Sequence, residues 1–171
     1  MGVQLLPYDP AWRQAFGEEA ARLRGAFGDL FVDLQHIGST AVPGLLAKPV
    51  IDILAVVPRV EALDLQRYVW EALGYEVMGE FGIPGRRYFR RDDPSGRRTH
   101  QVHAYGNGSP EVTRHLDFRD YLRASPSVAE AYGALKRRLA QECAGDMGLY
   151  SEGKTDFIRD IEHRAAIWRS Q

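Results

Sequence analysis

The chain has 171 residues, 44% apolar and 26% charged, and its 22 Lys plus Arg against 23 Asp plus Glu leave a formal net charge of -1. That length suits one domain over 1–171 with its own core. Near-neutrality excludes a polybasic chain with broad attraction to nucleic acid or anionic membrane. A lone cysteine, Cys143, excludes an intrachain disulfide framework and a cysteine-only metal site, and fits a reducing, cytoplasmic setting.

The N-terminal stretch lacks the charged region and long apolar run of a secretory leader, and Leu6 stands where a myristoylation motif needs Ser or Thr. Asp9-Pro10 opens a first helix, with Asp9 as cap and Pro10 at a tolerated first position. Trp12, Phe16, Ala20 and Leu23 recur at helical spacing and should face the core, and Gly25 and Gly28 end the helix. A β-rich segment over 30–37 runs into Gly38-Ser39-Thr40. Residues 50–57 form the strongest strand pattern, apolar on both faces as a covered central strand should be. This run contains Asp52 and is far too short to cross a bilayer.

Residues 60–73 read as a helix stopped by Gly74, and 75–79 as a short strand. After a turn-rich loop over 81–85, residues 86–91 and 99–105 pair as a hairpin. The remainder is helical. Ser109-Pro110 and Ser125-Pro126 are two cap-plus-proline starts, and Phe157, Ile161, Ala165 and Trp168 line one face of a last helix. Strands early and helices late argue for an α+β class, a mixed sheet packed against helices with a helical C-terminal third.

Residues 36–54, HIGSTAVPGLLAKPVIDIL, carry the chemistry. Gly38 lets backbone approach a ligand without a Cβ. Ser39 or Thr40 can cap a short helix through Leu46, whose free N–H groups would suit phosphate, and Lys48 adds a cation. Asp52 is the odd residue, because an ionised carboxylate in an apolar strand costs several kcal/mol to desolvate unless paired or metal-bound. Two readings stand level: a divalent-cation ligand beside the phosphate turn, or a structural ion pair with an arginine such as Arg87.

This run resembles the signature of the GrpB family in the nucleotidyltransferase-like superfamily. Further matches are GIPGRRYFR at 82–90, THQVHAY at 99–105, HLDFRDYLRASP at 115–126 and YSEGKTDFI at 150–158. The resemblance implies a nucleotidyltransferase-like sheet and a bound nucleotide or other phosphorylated ligand. If the chain is active, it implies nucleotidyl transfer with Mg2+. The superfamily pattern is a Gly-Ser turn, then two carboxylates one residue apart on the next strand, with a third from a neighbouring strand. Gly38-Ser39 matches the turn and Asp52 the first carboxylate. Leu54 occupies the second position, and residues 99–105 supply no third.

Histidine could stand in for the missing ligand. Strand alternation sends His100 and His103 to opposite faces, and the Val102 side looks more core-like, so His103 is the preferred base or ligand beside Asp52. A mononuclear site of His36, Asp52 and one of His100 or His103 is the alternative. The arginines at 86–98 read mainly as a solvated face, with Arg86 or Arg87 as a candidate phosphate clamp. Lys154, read at a helix start where a cation is disfavoured, is a further candidate for phosphate. Arg119 and Arg123 form an i, i+4 pair with acidic neighbours.

Three functions compete. One is a nucleotide-binding enzyme or former enzyme using Gly38, Ser39, Thr40, Lys48, Asp52 and Lys154. The second is a non-catalytic module for a phosphorylated or coenzyme A-like ligand, because GrpB-like domains resemble those fused to dephospho-coenzyme A kinase. The third is an interaction module or homodimer through the aromatic-rich helices.

Overall fold

The computed structural model describes residues 2–171. Helix α1, Ala11–Phe27, starts where Asp9 accepts the Ala11 N–H at 2.9 Å, and it turns Trp12 and Leu23 into the core. Strands β1, Asp33–Ile37, and β2, Ile51–Val57, follow, with a three-residue 3-10 turn, Ser39–Ala41, between them. The expected helix through Leu46 does not form. Val42, held extended at φ/ψ -110°/107° before Pro43, ends the turn, Gly44 at φ +83° follows, and no side chain caps it. Helical anion binding at Ser39 therefore has no helix behind it.

The segment over 60–73 is two short helices, α2, Glu61–Asp64, and α3, Arg67–Ala72, broken at Gln66, whose φ/ψ of -108°/19° is not helical. Strands β3, Glu76–Val77, β4, Arg87–Asp92, and β5, Arg98–Gly106, complete a five-stranded sheet in the order β1-β2-β5-β4-β3. Only β2 and β5 run parallel.

The register decides which side chains meet. Ile51, Ile53, Ala55 and Val57 share one face with Phe89, Val102 and Ala104, and pack on α1 and α3. Trp70 is fully buried there and stacks on Phe89 at 3.8 Å; truncating such a side chain typically costs about 3–5 kcal/mol. On the opposite face, Leu54, Val56, Ile37 and Tyr105 pack against Val112 and Leu116 of α4, Pro110–Ala124. Asp52, Gln101 and His103 lie on this second face.

Helix α5, Pro126–Glu142, and helix α6, Met147–Arg169, build a third apolar cluster with α4, into which the 42–45 loop inserts Val42 and Leu45. Helix α6 starts earlier than the sequence indicates, because Asp146 accepts the Leu149 N–H. Lys154 therefore sits about two turns inside the helix, not at its start. Gly153 lets α6 approach α5 closely, since a Cβ there would lie 2.6 Å from Leu139 Cδ2. Arg169 ties α6 back to Asp117 and Asp120 of α4. The sheet face bearing Asp52 and the three C-terminal helices thus enclose a cleft. Among the described residues no helix is long and apolar enough to cross a membrane.

Candidate functional site

The cleft is a cavity of about 310 Å³, within the range of small-ligand sites. Its floor is the turn that joins β1 to β2. Gly38 holds φ +74°, and a Cβ there would lie 2.6 Å from Asp52 Oδ2, so backbone and carboxylate touch only because residue 38 has no side chain. Asp52 Oδ1 meets His103 Nε2 at 3.2 Å. Strand alternation puts His103, not His100, on the Asp52 face. His100 lies on the other face, beside Arg91 and Thr99.

Three expectations are corrected. Asp52 does not pair with Arg87, whose guanidinium grips Asp64 at 2.7 and 3.1 Å. The mononuclear His36 site does not assemble either. His36 pairs in register with Ile53 on the far face, stacks on Phe16 at 5.0 Å, and bonds Thr40 at 2.9 Å. Arg86 also stays out of the cavity: buried, it reaches the Glu80 and Phe81 carbonyl oxygens and lies over Tyr88 at 4.9 Å. The phosphate-clamp reading of Arg86 and Arg87 therefore has no geometric basis.

What the cavity does collect is lysine. Of the 22 basic residues, 19 are arginine and three are lysine, and all three lysines, Lys48, Lys136 and Lys154, line this cavity. Among the described residues none is ion-paired to a carboxylate. Lys136, on α5, is 3% exposed and donates to Ser39 Oγ at 2.5 Å and to the Leu46 carbonyl at 2.8 Å. Lys154 and Lys48 approach the Tyr150 ring, with ammonium-to-centroid distances of 4.4 and 5.6 Å.

Crowding shows in the acidities. Burial, then the neighbouring Lys154 and Lys48, push Lys136 down to about 7 against the pull of Asp52. Burial and Lys48 push Lys154 down to about 8. Lys48 is lowered too, chiefly by burial. Three amines repelling one another beside one carboxylate form a site short of negative charge.

The remaining acid on the wall, Glu162, is held by Arg114 at 2.6 Å, and Arg114 also binds Glu111. His115 lines the cavity 5.9 Å ring-to-ring from His103; burial, with Arg114 and His103 adding, pushes it down to about 3, so it stays neutral. Phe118, Tyr132 and Ile158 give one wall an apolar surface.

The chain matches the family model for GrpB protein over residues 2–164. It belongs to the GrpB family. It is 41% identical over 167 residues to UPF0157 protein YqkA of Bacillus subtilis, covering 98% of this chain and 48% of YqkA, so it spans about half of that relative's length. It is 32% identical to a dephospho-CoA kinase of Mycolicibacterium paratuberculosis, over 97% of this chain and 46% of the kinase.

Among solved structures, GrpB from Enterococcus faecalis superposes with a TM-score of 0.93 at 43% identity, covering 98% and 100% of the two chains. The Cid1 poly(U) polymerase, in its MgGTP-bound structure, superposes with a TM-score of 0.54 at 14% identity, over 79% of this chain and 44% of that one. At that identity the likeness shows the fold, and the fold of this GrpB-family chain is nucleotidyltransferase-like.

Of the residues singled out by sequence, Gly38, Ser39, Thr40, Lys48, Asp52, His103 and Lys154 line one cavity. Lys136, not among them, joins them there. The available signal was the scarcity of lysine: a chain that uses arginine almost everywhere keeps lysine at only three positions.

Proposed function

We propose that this chain binds a small phosphorylated ligand, a nucleotide in the first instance, between the Asp52 face of the sheet and helices α4–α6. The convergence of all three lysines without a carboxylate partner carries this reading. The phosphates rest on Lys48, Lys136 and Lys154, with the Ser39 hydroxyl and the open backbone at Gly38 as further donors. A flat base lies against Phe118 and Tyr132.

Magnesium, which the fold relatives employ, finds a poor donor set here. Leu54 is fully buried where a second carboxylate would stand, and Asp52 is already engaged by His103. Among the described residues no three His, Cys, Asp or Glu side chains group as a metal cage. These residues do not fit a resident two-metal centre. The reading is therefore of a binding module whose lysines, not a bound metal, neutralise the ligand. A coenzyme A-like ligand is the second candidate, supported by the similarity to the dephospho-CoA kinase segment.

Isothermal titration with ATP, GTP, CTP, UTP and coenzyme A, each in EDTA and in Mg2+, tests the proposal. Saturable heat with at least one ligand, retained in EDTA, is expected. No heat with any of them, with an unchanged melting temperature, overturns it.

A further inference from the structure

Behind the Ser39–Ala41 turn lies a second cleft, of about 490 Å³, lined by α1, β1 and α4. Arg13, Arg119, Arg123 and His36 line it together with Phe16 and Tyr8, and no Asp or Glu does. Thr40 lines both cavities, so the two stand back to back across one turn.

The arginines are disposed for different tasks. Arg119 is fixed, its Nε on Asp120 at 2.8 Å and one Nη on Gln35 Oε1 and the His36 carbonyl. Its charge is met by Asp120, so it walls the cleft and leaves an anion to Arg123 and Arg13. Arg123 donates only its Nε, to the Ala41 carbonyl at 2.8 Å, which leaves both terminal nitrogens for another acceptor. Arg13 makes no ion pair among the described residues, and Arg119 and Arg13 crowd the Arg123 guanidinium, lowering its pKa after burial has done so.

One wall is aromatic and uncharged. Phe16 and His36 stack with an interplanar angle of 11°. Thr40 spends its hydroxyl proton on the Val50 carbonyl, so His36 Nε2 must donate to Thr40 Oγ1, and the ring is the neutral Nε2–H tautomer. Burial holds its pKa at about 4, which keeps the platform neutral across the physiological range.

We propose that this cleft is a second binding site, separate from the lysine cavity, for a small ligand that carries a carboxylate or phosphate on a flat ring. The head group binds Arg123 and Arg13 as a fork acceptor, with the ring on the Phe16–His36 platform. The inference does not depend on what the lysine cavity holds.

Chemical-shift mapping of the labelled full chain with phenyl phosphate, benzoate and inorganic phosphate tests it. Saturating shifts are expected at Phe16, Gln35 and His36 with a ring-bearing probe, and the tighter of phenyl phosphate and benzoate names the head group. Inorganic phosphate should bind this site more weakly than phenyl phosphate. Arg123→Gln should weaken the site about tenfold or more. Arg13 is exposed, so Arg13→Gln should leave folding intact and weaken the site about threefold. Lys154→Gln should leave these shifts in place. The proposal is overturned if the shifts fail to saturate, survive both arginine variants, or vanish in Lys154→Gln.

Discussion

Replacing Lys136 by methionine separates a functional lysine from a structural one. The amine is 3% exposed, and its pKa falls from 10.5 to about 7. At pH 7 that shift corresponds to about 4 kcal/mol of stability withheld from the native state, because the unfolded chain stays protonated there while the native amine is about half so. Methionine removes this penalty and fills similar volume. It gives up hydrogen bonds to Ser39 and Leu46, at about 1 kcal/mol each. The balance favours Lys136→Met by about 2 to 3 kcal/mol, a rise of about 5 °C or more in melting temperature for a chain of this size. Calorimetry at pH 7 without ligand measures that rise. Titration with ATP on the same sample should show affinity reduced by about tenfold or more, since a desolvated cation on phosphate is lost. A variant that melts several degrees lower and binds ATP as the parent does would refute the reasoning, leaving Lys136 as a brace for the 39–46 loop.

Other outcomes follow from the same geometry. Lys136 and Lys154 titrate lower in the native chain than in the unfolded one, so the unfolded chain holds more protons, and stability without ligand should rise from pH 7 towards 10 in a melting series. A polyanion returns those protons; ATP binding should take up protons, seen as buffer-dependent heats, and weaken as pH rises through about 7 to 8. Gly38→Ala should lose about 1–3 kcal/mol of stability, as well as ATP affinity, because its Cβ at φ +74° drives into Asp52 Oδ2; an unchanged melting curve would show that the turn relaxes freely. Asp52→Asn removes the one cavity carboxylate not held by an arginine and should raise ATP affinity a few-fold in EDTA; metal-dependent product formation that this substitution abolished would instead favour an enzyme.

The architecture was largely legible because its signals are periodic. The eight-residue apolar run over 50–57 had to be a covered strand, and cap-plus-proline pairs marked the starts of α4 and α5. Alternation also separated His103 from His100 and set it on the Asp52 face of the sheet. What alternation could not supply was partners from distant segments. Asp64 comes from α2 to take Arg87, and the Glu80 and Phe81 carbonyls take Arg86, so the two candidate clamp arginines are internally satisfied.

By sequence Lys154 stands near a helix start, where a cation is disfavoured. Its true position is inside α6, and it reaches the cavity because Gly153 brings α6 against α5. Lys136 was invisible for the opposite reason. Followed by Arg137 and Arg138, it reads as part of an exposed basic run, and only the packing of α5 on the 39–46 loop buries it.

The central claim is that three lysines around the Ser39 turn bind phosphate. A crystal structure of the chain grown with ATP in EDTA tests it most directly. The account predicts phosphate density bridging Ser39, Lys136 and Lys154, with the base on the Phe118–Tyr132 wall. An empty cavity in crystals of a chain that also gives no binding heat would contradict it.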